Sequence, residues 1–431
     1  IRIMGVFQNN LMGAAAAAAS AGGGDFYTHQ IANSVRNSAA QDGTLKFTAG
    51  TPTSGTTFTM SYWVKRYDNG TDGGATNIFV TGTGGGTYIF IGFGANIFDI
   101  NFTGGIYGDT RLQTNALYRD TSAWYHHVLR FDSTQAATTN RLRLYVNGVE
   151  PTYSSQTIQA QIDQDEDWDF INESGIVQAF GGLSGKGHGT EGANLQMAEI
   201  VFNDGQSYGP DSYGETKNGV WIPKDPSGLT FGNNGYYLKF ESSSDLGNDS
   251  SGNNNDFTAA NLAAHDQMLD SPTFNSDSNG GNYCTIGGLE KNTGGFTFSE
   301  GNLKYAVSTN NRGFIFSQGV PESGKYYWEV RATVFGGSED QLFIGVCQPD
   351  KMRGNLTAGR GGGEVSGAGG YTFDQYNGAA WLDGVKESND SIGTSRSAPQ
   401  TFGFAIDRDN NTMKWTYDGS TYSSTYTIPS S

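Results

Sequence analysis

Residues 124–148, WYHHVLRFDSTQAATTNRLRLYVNG, are the stretch that decides the fold of this chain. Apolar and polar residues alternate over residues 125–132 and again over 141–146, which is the period of a half-buried β-strand. A polar segment rich in Thr, Gln and Asn separates the two runs, and Asn147-Gly148 after them is a strong turn signal. The stretch therefore predicts a β-hairpin that needs a larger sheet in which to bury one face.

Further strands are predicted on both sides of this hairpin. Alternation over residues 58–66 places Phe58, Met60, Tyr62 and Val64 on one face. Residues 34–47, 88–93, 97–102 and 195–202 also have strand character, with turn signals between them. No segment has a sustained helical period, so the pattern predicts a β-sandwich.

The composition agrees with an all-β protein. The 431 residues include 63 Gly, aromatic residues reach 13%, and charged residues only 16%. Frequent turns and aromatic strands are typical of such domains. The length leaves room for two or three domains, each able to bury a core.

Charge and cysteine content exclude several classes of function. The formal net charge is −17, so nucleic acid and anionic membrane surfaces are unfavourable partners. The apolar run at residues 14–19 is too short to span a bilayer, so no membrane insertion is expected. Cys284 and Cys347 are expected to be two separate thiols rather than a disulfide framework.

The hairpin resembles the centre of laminin-G-like, concanavalin A-like lectin domains. The matching residues are Trp124, His126, Val128, Leu142, Leu144, Tyr145, Val146, Asn147 and Gly148. The resemblance implies that the Trp and the first strand pack in the core of a two-sheet jelly roll, with the Val-Asn-Gly turn on its rim. Residues 195–202, LQMAEIVF, resemble the closing strand of the same family.

A second pattern begins at about Phe296. Residues 324–330, 342–346, 401–407 and 412–419 occur in the order found in SPRY domains, which are also concanavalin A-like sandwiches. That family continues beyond the last of these motifs, so we expect either more chain after Ser431 or a neighbouring subunit that covers the sheet edge. Residues 236–257 resemble the opening strand and turn of concanavalin A-like domains, and belong to either sandwich.

The predicted organisation is two concanavalin A-like jelly-roll sandwiches joined by a turn-rich linker. Residues 1–24 form a low-complexity N-terminal arm, residues 25–240 the laminin-G-like sandwich, residues 241–295 the linker, and residues 296–431 the SPRY-like sandwich, whose completeness at Ser431 the sequence leaves open. The arm is either an attachment segment or a floppy terminus.

The sequence lacks the motifs of the common catalytic sites. The Gly-rich segments 82–86 and 359–363 are not followed by the Lys-Ser/Thr of a phosphate-binding loop. His126 and His127 are adjacent on a strand, so they face opposite sides and cannot chelate one metal together. His126 is expected to be a packed core histidine. No cofactor is expected, apart from calcium in one acidic segment.

That acidic segment is residues 163–169, DQDEDWD. It departs from the Glu-x-Asp-x-x-Glu strand of laminarinase-type hydrolases, which share the jelly-roll fold. A solvated loop is the first interpretation, and a calcium site formed by Asp163, Asp165 and Asp167 is the second. The loop at residues 245–256 has the same two interpretations, and there Asx-turn chemistry is favoured over calcium binding.

Aromatic residues in loop-like segments are the remaining candidates for recognition, because sugar rings stack on Trp and Tyr. The predicted glycan-binding residues are Trp168, Tyr208, Tyr213, Trp221, Tyr371, Tyr376 and Trp381.

The order of modules resembles large structural proteins of bacteriophages, particularly marine ones. This resemblance implies a non-enzymatic adhesin of a tail fibre or other appendage, on the outer face of the virion. Its expected partners are host-surface glycans, other virion proteins and copies of itself in a homo-oligomer, a trimer by expectation. The alternatives are a capsid decoration or tail-assembly protein without a ligand, and a glycan depolymerase.

Overall fold

The structure is a computed structural model. It describes residues 2–5, 26–38, 42–67, 75–84, 86–94, 96–104, 108–183, 193–273, 281, 285–286, 296–299, 304–307, 320, 323–333, 343–348, 366–367, 369–374, 378–387, 399–417 and 419–430. These residues form 28 strands and four short 3-10 helices. None of the helices in this described part is long and apolar enough to cross a membrane.

The strands are, in chain order, β1 (Arg2–Gly5), β2 (Ser34–Asn37), β3 (Thr44–Thr48), β4 (Thr57–Arg66), β5 (Ala75–Gly84), β6 (Thr87–Gly94), β7 (Ile97–Thr103), β8 (Thr110–Leu117), β9 (Trp124–Asp132), β10 (Leu142–Val146), β11 (Tyr153–Gln156), β12 (Val177–Phe180), β13 (Leu195–Asp204), β14 (Gly214–Lys217), β15 (Val220–Pro223), β16 (Tyr236–Leu238), β17 (Thr258–Ala260), β18 (Gln267–Met268), β19 (Phe296–Ser299), β20 (Lys304–Val307), β21 (Lys325–Ala332), β22 (Phe343–Cys347), β23 (Gly370–Asp374), β24 (Ala379–Leu382), β25 (Val385–Lys386), β26 (Gln400–Asp407), β27 (Thr412–Thr416) and β28 (Tyr426–Thr427). The 3-10 helices are Thr138–Asn140, Ile158–Ala160, Pro210–Ser212 and Ala264–Asp266.

The chain divides into two compact units, residues 16–282 and residues 1–15 with 283–431. The larger unit has one sheet in the order β10-β9-β4-β13-β2-β18, with β16 also paired to β13, and an eight-stranded sheet in the order β11-β8-β7-β6-β5-β12-β3-β17. The smaller unit has a seven-stranded sheet, β19-β20-β1-β21-β26-β27-β28, and a four-stranded sheet, β22-β23-β24-β25. The predicted all-β fold class is confirmed.

The core of the larger unit lies between its two sheets and follows the alternation in the sequence. Phe58, Met60, Tyr62 and Val64 point from β4 into this core, as predicted. The hairpin predicted at residues 124–148 forms from β9 and β10, and in the turn that follows β10 both Asn147 and Gly148 have positive φ. Asn and Gly tolerate that conformation, which explains the turn signal.

A β-bulge in β13 interrupts the alternation. Leu195 and Met197 face the core before the bulge, and Ile200 and Phe202 face it after the bulge. The register with β4 shifts between Ala198 and Val201, and Glu199 has φ +48. The extra residue therefore reverses the parity of the strand and turns Glu199 away from the core.

Residues 236–257 belong to the larger unit, because β16 pairs with β13 through Ile200, Val201 and Phe202. The sequence allowed the segment to belong to either sandwich, and this pairing places it in the first. The region predicted as a linker also contributes strands to this unit. β17 pairs with β3, and β18 pairs with β2.

Two buried ion pairs hold the second half of the predicted linker against the rest of the larger unit. Lys65 Nζ lies 2.8 Å from the Asp270 carboxylate, and both side chains are buried. Trp124 Nε1 donates to the same carboxylate over 3.1 Å. Arg36 pairs with Asp266 in the same way, at 2.9 Å. A buried carboxylate next to a buried ammonium fixes the segment, because either charge alone would be strongly unfavourable there.

The smaller unit places its core between its two sheets. Trp328, Phe404 and Trp415 come from the larger sheet, and Phe373 and Ala380 from the four-stranded one. The strands predicted at residues 324–330, 342–346, 401–407 and 412–419 are present as β21, β22, β26 and β27.

The N-terminal residues of this unit differ from the predicted arm. β1 pairs with both β20 and β21, so Arg2–Gly5 completes the middle of the sheet rather than forming a free terminus. Cys284 lies outside the described residues, so the expectation of two separate thiols stays a prediction.

We expect Asp270→Ala to destabilise the larger unit by about 3–5 kcal/mol, because it leaves the buried Lys65 ammonium without its carboxylate. Denaturant unfolding followed by Trp fluorescence measures this change. The matched control is Asp163→Ala in an exposed segment, which should cost less than about 0.5 kcal/mol. Equal unfolding midpoints for the two variants would contradict the anchoring role. The double variant Lys65→Met/Asp270→Leu should recover part of the loss, because it removes the unpaired ammonium but leaves Trp124 Nε1 without its acceptor.

Candidate functional site

The aromatic residues predicted to bind glycans in the larger unit are packed rather than free. Trp168 is 2% exposed and packs edge-on against Phe131 in the core, with the ring centroids 4.6 Å apart. Tyr213 is also 2% exposed, and its hydroxyl donates to Asn203 Oδ1 over 2.6 Å. Tyr208 is half-buried beside Tyr213. The expectation of exposed rings is therefore wrong for Trp168 and Tyr213, because both fill apolar clusters.

Trp221 is held against the outer face of the sheet by His126. Its Nε1 donates to His126 Nδ1 over 3.0 Å, and its ring stacks on the His126 ring. An added Cβ on Gly148 or on Gly214 would lie within 2.4 Å of the indole. The two glycines thus let the backbone close around the ring, which leaves Trp221 a structural role.

His126 is a packed core histidine, as the sequence predicts. The indole N–H can only donate, so His126 Nδ1 must accept and the ring must be the neutral Nε2–H tautomer. That Nε2–H then donates to Ser61 Oγ over 2.8 Å. Burial lowers the pKa of His126 to about 3, and burial together with the nearby His126 lowers the pKa of His127 to about 3.

The acidic segment has no preformed metal site. Asp163, Asp165 and Asp167 are exposed. Among the described residues, no group of three or more His, Cys, Asp or Glu side chains could hold a metal ion. This exposure is that of a solvated loop, and calcium binding by the segment stays a prediction.

In the loop at residues 245–256, the Asp249 carboxylate accepts hydrogen bonds from the backbone N–H groups of Tyr237, Ser251 and Asn255. The Asn255 side chain donates to two backbone carbonyls, Asn233 O and Gly235 O. These local bonds are the Asx-turn chemistry that the sequence favours. They occupy the Asp249 carboxylate and the carbonyl oxygens of Asn233 and Gly235.

A third polar cluster lies beside a cavity of about 60 Å³. The buried Glu199 carboxylate accepts from the hydroxyl of Tyr237 over 2.5 Å and lies 2.5 Å from His29 Nε2. The hydrogen bond and charge of Glu199 raise the pKa of His29 despite its burial. A cavity of this size holds a few water molecules and no sugar ring. The cluster therefore fastens the backbone around His29 to the bulge in β13.

In the smaller unit, Tyr371 and Trp381 lie on adjacent strands but on opposite faces. Thr372 is the register partner of Trp381, so Tyr371 points toward the core and Trp381 away from it. Lys386 Nζ lies 5.9 Å from the centroid of the Trp381 ring. Tyr376 lies outside the described residues. Tyr371 and Trp381 therefore do not share one surface.

Two tyrosines that the sequence did not single out form a surface on the outer face of the larger sheet of this unit. Tyr327 and Tyr422 are each 39% exposed. Tyr327, Ala405 and Lys414 are register partners across β21, β26 and β27, and Tyr422 bridges to Thr416 beyond them. The two rings therefore flank a floor of small residues. Since strands lie about 4.8 Å apart, the two backbones are separated by about 14 Å.

Gly403 sets the position of one ring. An added Cβ on Gly403 would lie 2.2 Å from the Tyr327 hydroxyl oxygen and 2.9 Å from Thr416 Cγ2. The Tyr327 side chain thus leans across β26 over this glycine, a contact that only the absence of a Cβ permits. We call the surface made of Tyr327, Gly403, Lys414, Thr416 and Tyr422 the tyrosine trough.

Polar contacts fix both walls of the tyrosine trough. The Tyr327 hydroxyl donates to Glu329 Oε1 over 2.9 Å, and Lys414 Nζ lies 4.5 Å from the centroid of the Tyr422 ring. Partial burial, the Glu329 hydrogen bond, and the charges of Glu329 and Tyr422 raise the pKa of Tyr327 to about 12. The phenol is therefore a neutral donor at ordinary pH, and the cation holds the second ring in place.

The sequence carries part of the signal for this surface. Alternation in KYYWEVRA puts Trp328 and Val330 in the core and hence Tyr327 on the opposite face. Tyr422 lies in a Ser- and Thr-rich segment without periodicity, and its position beside β27 depends on the chain path after Thr416.

Comparisons with known proteins agree with the fold of the larger unit. Residues 39–183 match the family model described as the concanavalin A-like lectin/glucanases superfamily. A comparison with curated proteins finds no matching relative.

Similar solved structures include a protein from Bacteroides ovatus ATCC 8483 provisionally assigned as carbohydrate-binding, at 18% identity and TM-score 0.35, which covers 54% of this chain and 61% of that one. Domains LG4-5 of the mouse laminin alpha1 chain are 11% identical at TM-score 0.32, and cover 94% and 84%. A heptameric SAP-like pentraxin from Limulus polyphemus is 12% identical at TM-score 0.28, and covers 41% and 77%. Such low scores carry no argument about what this chain binds.

We expect the free energy of unfolding to fall as the pH drops from about 6.5 toward 3. The folded state keeps His126 and His127 neutral, whereas the unfolded chain takes up these protons below about pH 6.5. Each ring should contribute about 1.4 kcal/mol per pH unit in this window. Urea unfolding of the wild type and of His127→Gln is measured at pH 4, 5 and 6. The difference between their free energies of unfolding gives the contribution of His127 at each pH. The exposed His265→Gln is the control, and a difference independent of pH would contradict the buried neutral ring.

Proposed function

We propose that this chain is a non-enzymatic glycan-binding module of a bacteriophage appendage, such as a tail fibre, and that the tyrosine trough holds the sugar. The observation that carries the proposal is the pair of exposed rings, Tyr327 and Tyr422, on either side of a floor of small residues. Sugar rings present apolar C–H faces that stack on aromatic side chains, and they need few directional hydrogen bonds in addition.

The trough supplies both kinds of contact. Tyr327 and Tyr422 offer ring faces, while the ammonium group of Lys414 lies over the Tyr422 ring and supplies N–H donors. All of these residues lie on strands or are bridged to one, so the surface is held by the sheet. A surface held in this way loses little conformational freedom on binding.

The carboxylates near the trough support a binding role over hydrolysis. Glu329 and Asp407 are the acidic residues of β21 and β26 on this face, and their register separates them by four residues, about 13 Å along the strands. Paired catalytic carboxylates of glycoside hydrolases lie closer, at roughly 5–9.5 Å. Glu329 also accepts the Tyr327 hydroxyl, and Asp407 pairs with Lys325.

The place on a particle rests on the resemblance to phage structural proteins described above. On that basis we place the module on the outer face of the virion, in a homo-oligomer that we expect to be a trimer. Its partners would be a host-surface glycan and other virion proteins. Calcium is not required by the trough, which consists of phenol, ammonium and hydroxyl groups rather than a set of hard oxygen ligands.

We expect Tyr422→Ala and Tyr327→Ala each to weaken glycan binding about tenfold, because each removes one stacking face. Binding of the purified chain to a glycan array, followed by titration of the best array ligand, measures the change. Tyr422→Phe should bind as the wild type does, since it keeps the ring.

Val385→Ala is the matched control. Val385 is 59% exposed in the same unit but lies on the four-stranded sheet, outside the trough. Its binding should not change. Well-folded wild type that binds no glycan on the array or on host cells would overturn the proposed function. Loss of binding in Val385→Ala but not in the tyrosine variants would move the site elsewhere.

A further inference from the structure

On the trough face, the acidic side chains have hydrogen-bond or ion-pair partners, whereas two of the basic side chains form no ion pair within the described part of the chain. Glu329 is engaged by the Tyr327 hydroxyl, and Asp407 by Lys325 at 3.3 Å and by the Asn410 side chain at 2.9 Å. Asp407 is therefore paired with a cation, whereas Glu329 keeps its negative charge and is held beside Tyr327 by a hydrogen bond.

Two cations on the same face remain directed to solvent. Lys414 and Arg331 are exposed at outward positions of β27 and β21. Neither forms an ion pair with a carboxylate among the residues that the structure describes. Lys414 is also held in place, because its ammonium group lies over the exposed Tyr422 ring.

The exposed basic side chains of this face contrast with the acidic composition of the whole chain. Residues 1–282 contain 14 Lys and Arg against 28 Asp and Glu, while residues 283–431 contain 12 against 15. The part of the sequence that carries the trough thus has most of its acidic charge balanced. A negatively charged ligand meets far less repulsion there than the net charge of −17 would suggest.

We propose that the tyrosine trough is selective for acidic saccharides, with Lys414 binding a carboxylate or sulfate group of a sugar stacked on Tyr422. Arg331 lies four residues along β21 from Tyr327, about 13 Å away along the strand. Arg331 binds a second acidic group further along the same oligosaccharide. The ligand class is therefore an anionic oligosaccharide rather than a single acidic sugar. This inference rests on the proposed function.

The specificity follows from how the two kinds of contact respond to charge. Stacking on Tyr327 and Tyr422 is available to neutral and acidic sugars alike. The ammonium group of Lys414 adds attraction only for an anion, and that attraction is weakened by salt because the site is exposed. Acidic ligands should therefore bind more tightly at low ionic strength and lose that advantage at high ionic strength.

The test compares three hexasaccharide probes by isothermal titration: an oligouronate from alginate, a sulfated galactan from carrageenan, and a neutral glucan. In the wild type, we expect at least one acidic probe to bind fivefold or more tighter than the glucan at 50 mM NaCl, and less than twofold tighter at 500 mM. The two acidic probes distinguish carboxylate from sulfate recognition.

Lys414→Gln should remove the preference for the acidic probe while leaving glucan binding within twofold, and Lys414→Arg should restore it. Lys386→Gln, an exposed lysine beside Trp381 on the other sheet, is the charge-matched control and should change nothing. If Tyr422→Ala weakens binding as expected but Lys414→Gln leaves the acidic preference intact, the glycan-binding function stands and this inference is overturned. If no probe binds to the wild type, both are overturned.

Discussion

The sheet built around β4 and β13 is buried on both faces, and the rest of the larger unit depends on this constraint. Every residue of β13 is buried, as is every residue of β4 except the first. One face packs on the eight-stranded sheet, so the other needs a cover from elsewhere in the chain. The segments from Gly205 to Thr273 supply it, with Tyr213, Trp221 and Phe231 as apolar contacts. Aromatic residues that look like free loop residues in the sequence are used for this purpose.

The sequence predicts the strands of this sandwich well, because its local patterns are strong. The alternation in β4, β9 and β10 and the Asn147-Gly148 turn are visible without any knowledge of the partner strands. The cover could not be predicted in the same way. Asp270 looks like one more polar residue in a turn-rich region, and its role depends on Lys65, 205 residues earlier in the chain. A buried ion pair of this kind has no local signature.

The bulge at Glu199 and the tyrosine trough show the same limit at a finer scale. Met197 and Ile200 are three residues apart, so the period of two fails between them, but only the pairing with β4 locates the extra residue. In the trough, alternation is enough to place Tyr327 opposite Trp328. It is not enough to bring Tyr422 to the same surface, because that depends on the lateral order of β21, β26 and β27. The alternation in a sequence shows on which face of a strand a side chain lies. A binding surface also depends on which strands lie next to each other.

The contrast between the two units explains where a binding surface can form. The outer face of the β4–β13 sheet is sealed, and there His126 bonds both Trp221 and Ser61, while the Tyr213 hydroxyl bonds Asn203. On the outer face of β21, β26 and β27, Gly403 lets the partly exposed Tyr327 ring lie across β26, while Phe404 and Trp415 on the opposite face hold the same strands in the core. The residues that could bind a ligand are thus fixed by the packing behind them. A recognition surface on such strands is preorganised, so binding does not have to order it first.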